Sequence, residues 1–126
     1  MDLFDTNIFL EILLAQEKST LCKNVLTSRI GSISITDFSL HSIGVILFRY
    51  DKENIFNSFI SDILPRIEIA TLQSKSYATL AMFKRDYNLD FDDAYQSAVA
   101  EECKMKIVTM DKDFKRVGDR ISIEFV

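Results

Sequence analysis

Asp5 follows the apolar run Met1–Phe4, Asp93 opens the segment DAYQSAVA, and Asp111 follows the run KIVTM. Each acid stands just past a strand-like stretch or at the start of a helical one. In α/β folds the carboxyl ends of buried strands face the crevice where ligands bind. Carboxylates gathered there repel one another, and without a cation at least one of them is protonated. A divalent cation removes that penalty, and Mg²⁺ or Mn²⁺ prefers oxygen ligands. An ion held this way can acidify a bound water, orient a phosphodiester and stabilise charge on the leaving oxygen. The acids therefore point to metal-assisted chemistry on a phosphate-bearing substrate. No side-chain nucleophile is needed, and the chain carries no GxSxG turn or convincing triad. His41, the single histidine, lacks a partner motif and reads as a structural or surface residue.

Each acid also has an ordinary explanation. Asp5 can cap a helix starting at Thr6, a placement worth about 1 kcal/mol. Asp92 and Asp93 can be first-turn acids that favour a helix dipole. Asp111 and Asp113 can be turn residues. Lys104, Lys106, Lys112, Lys115 and Arg116 read as a solvated face, with RNA backbone contact as the alternative.

The elements that would carry these acids follow from periodicity. Met1–Phe4 reads as a short buried strand, and Ile8, Phe9, Ile12 and Leu13 recur at helical spacing from Thr6. A second helix through Leu21, Val25 and Leu26 ends near Gly31. Ser32–Thr36 alternates and is β-branched, as a strand should be. Thr36 or Asp37 caps a helix carrying Phe38, Ile43, Ile46, Leu47 and Tyr50. Asp51 starts another, with Ile55, Phe56, Phe59, Ile60 and Ile63 on one face, and Pro65 ends it. Ile67–Leu72 is a strand candidate, Gln73–Tyr87 a long helix. Asp92 or Asp93 begins the next, with Ala94, Ala98, Val99 and Cys103 inward. Lys106–Thr109 and Ile121–Val126 close the chain as strands. Strands alternating with helices imply a mostly parallel sheet flanked by helices. All strand ends that carry acids then share one side.

Composition agrees with a folded chain. With 126 residues, 48% of them apolar and 27% charged, it fits one globular domain. The longest nearly uncharged apolar stretch, Ile43–Phe48, is far too short to cross a bilayer. Its apolar character almost all round suggests burial on two sides, the second by another copy. The N-terminus has no basic leader region. Cys22 and Cys103 show no CxxC spacing and read as reduced, buried thiols of a cytoplasmic protein. A net charge of −4 speaks against binding nucleic acid by phosphate neutralisation alone.

Taken together, the motifs resemble the PIN domain, and within it the VapC-like toxin ribonucleases. DTNIFLE (Asp5–Glu11) is similar to the opening of that family, DDAYQSAVA (Asp92–Ala100) to its third acidic motif, and IVTMDKDFKRV (Ile107–Val117) to its closing strand and acids. The resemblance spans residues 1–126 as a single PIN-like domain. It implies a three-layer α/β/α fold with a central, mainly parallel sheet. It also implies a Mg²⁺- or Mn²⁺-dependent endoribonuclease, the toxin of a toxin–antitoxin pair, acting on RNA, homodimeric and paired with a small antitoxin. On this resemblance Asp5, Asp93 and Asp111 are catalytic metal ligands and Asp113 an accessory one. Thr6, Asn7 and Thr109 match polar positions that orient the acids, and Asp92 supports Asp93.

The chain departs from the family at the second acid. A Glu is usual one to two turns into the helix after the second strand. Here the stretch reads ITDFSLHSIGVIL, with His41 or Ser42 at that position and Asp37 about five residues earlier. A missing ligand implies weaker metal binding. The alternative expectation is thus a catalytically weakened PIN-like module that binds RNA or a protein partner.

Overall fold

The computed structural model describes residues 1–126. Strand β1 (Asp2–Phe4) leads into helices α1 (Thr6–Leu13) and α2 (Ser19–Ser28), then strand β2 (Ile33–Thr36). Helices α3 (Asp37–Arg49) and α4 (Glu53–Asp62) precede β3 (Glu68–Ala70). Helices α5 (Leu80–Tyr87) and α6 (Phe91–Cys103) lead to β4 (Lys106–Thr109), and β5 (Ile123–Phe125) is last. The five strands form one sheet in the order β3-β2-β1-β4-β5, and every pairing is parallel.

Alternation along the strands splits the core in two. Leu3 and Ile107 face a cluster built with α5, α6, Phe114 and Val117. Phe4 and Val108, one residue later on each strand, face a second cluster with α1 to α4. Helices thus cover both faces, which is the three-layer α/β/α arrangement expected from the alternating elements.

The chain winds from β1 outward to β3, then crosses back to add β4 and β5 on the other side of β1. The reversal lies between β1 and β4, whose register pairs Phe4 with Val108. The next residues, Asp5 and Thr109, therefore emerge side by side at the carboxyl end of the sheet. Such a reversal opens a crevice between the helices on either side.

Several boundaries differ from the sequence reading. The second helix stops at Ser28, and the turn that follows uses Gly31 at φ +96°, a conformation that side chains resist. Asp51 starts no helix; it takes φ +57° and α4 begins at Glu53. Pro65 lies beyond the end of α4, inside a 3₁₀ turn over Leu64–Arg66. The long helix over Gln73–Tyr87 is a 3₁₀ stretch, Ser74–Thr79, followed by α5. Cys22 is buried, its thiol donating to Met110 Sδ at 3.6 Å, but Cys103 is exposed. Burial on α6 is continuous only over Asp93–Ala100, so Cys103 at its last position lies past the packed section. On α3, Ile43 and Leu47 are buried, while Val45 and Phe48 are 57% and 59% exposed, so the fold itself covers one side only.

Candidate functional site

A cleft of about 210 Å³ opens at the reversal point of the sheet and is lined by Asp5, Asp90, Asp92, Asp93 and Asp111. Thr6, Asn7, Ser42, Leu10 and Ile46 complete its walls. Four elements deliver the acids and their surroundings. Asp5 follows β1, Asp111 follows β4, Asp90–Asp93 begin α6, and Ser42 and Ile46 lie one turn apart on α3.

Asp5 is buried at the end of β1. Although it stands at the N-cap position of α1, its side chain makes no capping bond. Its carboxylate instead accepts Gln96 Nε2 at 2.9 Å and Thr109 Oγ1 at 2.7 Å. Burial pushes the Asp5 carboxyl above its ordinary value, the two donors pull it back, and the nearby Asp111 charge raises it further. Thr109 also accepts the Asp111 N–H at 2.9 Å, so one hydroxyl ties the two strand-end acids together.

Asp93 is 6% exposed and pushed up to about 8, first by burial and then by the charges of Asp90, Asp92, Asp5 and Asp111. Asp90 is the N-cap of α6 and accepts the Asp93 N–H at 3.3 Å; Asp92 Oδ1 accepts the same N–H at 3.1 Å. Burial and the neighbouring Asp90 push Asp92 up to about 6, while hydrogen bonding, chiefly with Asp92, holds Asp90 below its ordinary value.

Two triplets of carboxylates have oxygens within 4.8 Å of one another: Asp93 with Asp111 and Asp113, and Asp90 with Asp92 and Asp93. Asp93 belongs to both. Asp5 lines the same cleft but joins neither triplet. The six close ion pairs of the chain include Asp5, Asp93 and Asp111 in none; among the site's acids Arg116 reaches Asp113 alone, at 3.4 Å. Crowded carboxylates that offer oxygen donors only, with a single arginine at their edge, fit a hard divalent ion.

The supporting polar residues divide. Thr109 contacts Asp5, as the sequence suggested. Thr6 lines the cleft but donates to Ser39 Oγ at 2.7 Å rather than to an acid, and Asn7 lines it while exposed. Of the two positions near the absent Glu, Ser42 faces the cleft. His41 lies outside it, on an apolar groove with Val45, Phe48 and Phe56. Asp37 accepts the Tyr95 hydroxyl at 2.7 Å, away from the other acids.

The basic residues form no single face. Lys104 and Lys106 line a cavity with Met1 and Asp2 at the amino end of the strands, opposite the acids. Lys112 and Lys115 sit over the Phe125 ring, at 4.6 and 6.0 Å from its centroid.

The model of the PIN-domain family matches residues 3–120. The chain belongs to the PIN-domain family. No curated protein matches this PIN-domain chain in sequence. Solved structures match it closely in fold. A toxin–antitoxin complex from Klebsiella pneumoniae is 22% identical, covering 90% of each chain, with TM-score 0.74. VapBC2 from Rickettsia felis, solved with a DNA fragment of its promoter, is 19% identical over 98% of this chain and 96% of that one, with TM-score 0.78. VapC20 of Mycobacterium tuberculosis, a sarcin–ricin loop cleaving toxin, is 14% identical over 94% of this chain and 95% of that one, with TM-score 0.80.

Proposed function

We propose that this PIN-domain chain, as a single domain over residues 1–126, is a Mg²⁺- or Mn²⁺-dependent endoribonuclease and the toxin of a toxin–antitoxin pair. One observation carries the reading. Asp93, Asp111 and Asp113 bring oxygens within 4.8 Å of one another at the reversal point of a parallel sheet, and no basic side chain neutralises Asp93 or Asp111. The toxin part of the reading leans on the fold shared with the toxin–antitoxin structures.

Asp93 and Asp111 are the core ligands, with Asp113 beside them and Asp5 on the cleft wall. When bound, the ion supplies Lewis acidity to a water and to the scissile phosphodiester. Thr109 and Gln96 fix the Asp5 carboxylate, and Asp90 and Asp92 add negative charge beside Asp93. Those two acids flank the cleft where the α3 side offers Ser42 in place of a carboxylate. Partners on this reading are an RNA substrate, a small antitoxin and a second copy of the chain, bound through the exposed outer face of α3 and α4. The site of action is then the cytoplasm, where cellular RNA lies.

Incubating purified protein with a mixed RNA pool and Mn²⁺ tests the reading directly. Wild type should cleave and Asp93→Asn should not. Equal cleavage by both would mean contamination and end the proposal. Mg²⁺ or Mn²⁺ should also raise Tm by mass action, and Asp93→Asn or Asp111→Asn should abolish the rise.

A second reading, a PIN-like module with weakened catalysis that binds RNA or a protein, is favoured by Ser42 and Ile46 standing on the α3 wall. Ser42→Glu separates the two. A large gain in cleavage over wild type would support the weakened module, and an unchanged or lower rate the competent enzyme.

A further inference from the structure

An aromatic shelf adjoins the acid cleft. An apolar hollow of about 330 Å³, lined by Phe38, His41, Ser42, Val45 and Ile46, shares Ser42 and Ile46 with the cleft. Its size lies at the lower end of small-ligand sites, roughly 300–1,000 Å³. Phe38 lies in the first turn of α3 and Phe91 opens α6, so both residues stand at the carboxyl rim of the sheet. Their centroids are 5.7 Å apart. In sequence Phe91 falls between Asp90 and Asp92, two acids that line the cleft, and its side chain is 56% exposed. Behind it Tyr95 stacks at 6.5 Å with an interplanar angle of 18°, which props the Phe91 ring from one side.

The charge distribution says what such a ring is for. The chain has net charge −4, no Lys or Arg lines the acid cleft, and Arg116 at its edge is paired with Asp113, so little phosphate-neutralising charge is offered there. Grip on a single strand beside the cleft then draws on uncharged contacts, and base–aromatic stacking is the sequence-tolerant one. We propose that Phe38 and Phe91 form a base-stacking shelf that holds a nucleobase of single-stranded RNA next to the phosphodiester in the acid cleft. The inference rests on the ribonuclease reading for its substrate class. It adds two residues that carry neither metal nor acid chemistry.

The test compares wild type with Phe91→Leu, Phe38→Leu and Phe91→Trp. Each is measured for Mn²⁺-dependent cleavage of short oligo(U) and oligo(A), and for binding of the same RNAs by fluorescence anisotropy. Phe91→Leu keeps an apolar residue at a half-exposed position but removes the π-face. KM and the dissociation constant should rise about tenfold, a mid-range effect for one lost stack, with kcat little changed. The Mn²⁺-induced rise in Tm should stay. Phe91→Trp should restore affinity. An oligonucleotide with abasic sites should bind wild type and Phe91→Leu equally, and the wild-type advantage should persist in high salt, which screens phosphate contacts.

If Phe91→Leu cleaves and binds like wild type, the shelf is wrong and the nuclease reading stands. RNA binding that depends on Phe91 without any cleavage would keep the shelf and sink the nuclease. Should both phenylalanine variants lose affinity only because the protein changes oligomeric state, seen by light scattering, the face belongs to a protein contact and the proposal fails. No binding by wild type at all overturns both.

Discussion

Asp93 is a carboxyl pushed up to about 8 in the folded chain and near 3.8 when unfolded. Between those values the folded state holds a proton that the unfolded state has released. Metal-free stability is therefore greatest at the acid end of that window and falls as pH rises toward 8. Asp92, pushed up to about 6, acts in the same direction. In EDTA, Tm should drop by several degrees from about pH 5 to about pH 8. Asp93→Asn should remove most of the drop and melt higher than wild type at the alkaline end. Saturating Mn²⁺ should flatten the slope, because the metal-bound folded state holds Asp93 deprotonated, as the unfolded state does. A variant with the wild-type slope would show that the crowding resides elsewhere. Gln96 offers a second test at this scale. Gln96→Met keeps the volume but strips a donor from Asp5, and should weaken Mn²⁺ binding roughly tenfold, as loss of a ligand-orienting partner does. A Tm-versus-Mn²⁺ titration reads it. Asp5, Asp93, Asp111 and Asp113 were legible in the sequence because acids past strand ends and at helix starts have few places to go. Gln96 was not. A Gln amid small residues on a helix reads as surface, and only the packing of α6 over the β1–β4 junction turns it toward Asp5. Asp90 escaped notice for another reason: in LDFDD three acids compete for the cap, and propensity does not choose among them.

Helix α3 shows how an element is pinned beside the cleft. Thr36 Oγ1 accepts the Ser39 N–H at 2.9 Å, and the Thr36 and Thr6 hydroxyls both donate to Ser39 Oγ, at 2.9 and 2.7 Å. The three hydroxyls tie the start of α3 to the start of α1 in the interior beside the cleft. Thr36→Ala removes a buried cap and should cost about 1–2 kcal/mol, measured by urea unfolding. It should lower cleavage less than it lowers stability. A cost near zero would mean that Ser39 finds another partner. The start of this helix was legible, since Thr36 or Asp37 was the expected cap. The break before α5 was not. Nothing in QSKSYATL interrupts a helix by Gly or Pro. The stretch makes tertiary contacts that sequence periodicity does not carry: Glu102 on α6 accepts the Gln73 N–H at 3.1 Å and the Ser76 hydroxyl, and 3₁₀ turns are frequent at the start of an α-helix.

For the whole molecule, alternating strand and helix signals gave the layer class, but not the strand order, because a parallel strand can join either side of β1. The crossing from β3 to β4 sets the cleft, and it depends on which faces α5 and α6 bury, a nonlocal choice. Beyond the hollow beside the cleft, the outer face of α3 and α4 is the remaining apolar expanse, with Phe48 and Tyr50 exposed and Phe48 edge-on to Phe56 at 5.7 Å. Light scattering on wild type should give a dimer mass, and Phe48→Glu a monomer of unchanged Tm and metal response. A monomeric wild type would remove the homodimer from the proposed function.

The two outermost strands, β3 and β5, are three residues long apiece. Lys112 lies across the Phe125 ring of the latter. Borders this short leave few free amides on which a neighbouring chain could add itself strand by strand. When concentrated stocks are stored or warmed, losses should therefore come as amorphous precipitate nucleated by the greasy helical flank. Thioflavin fluorescence should stay flat while turbidity climbs.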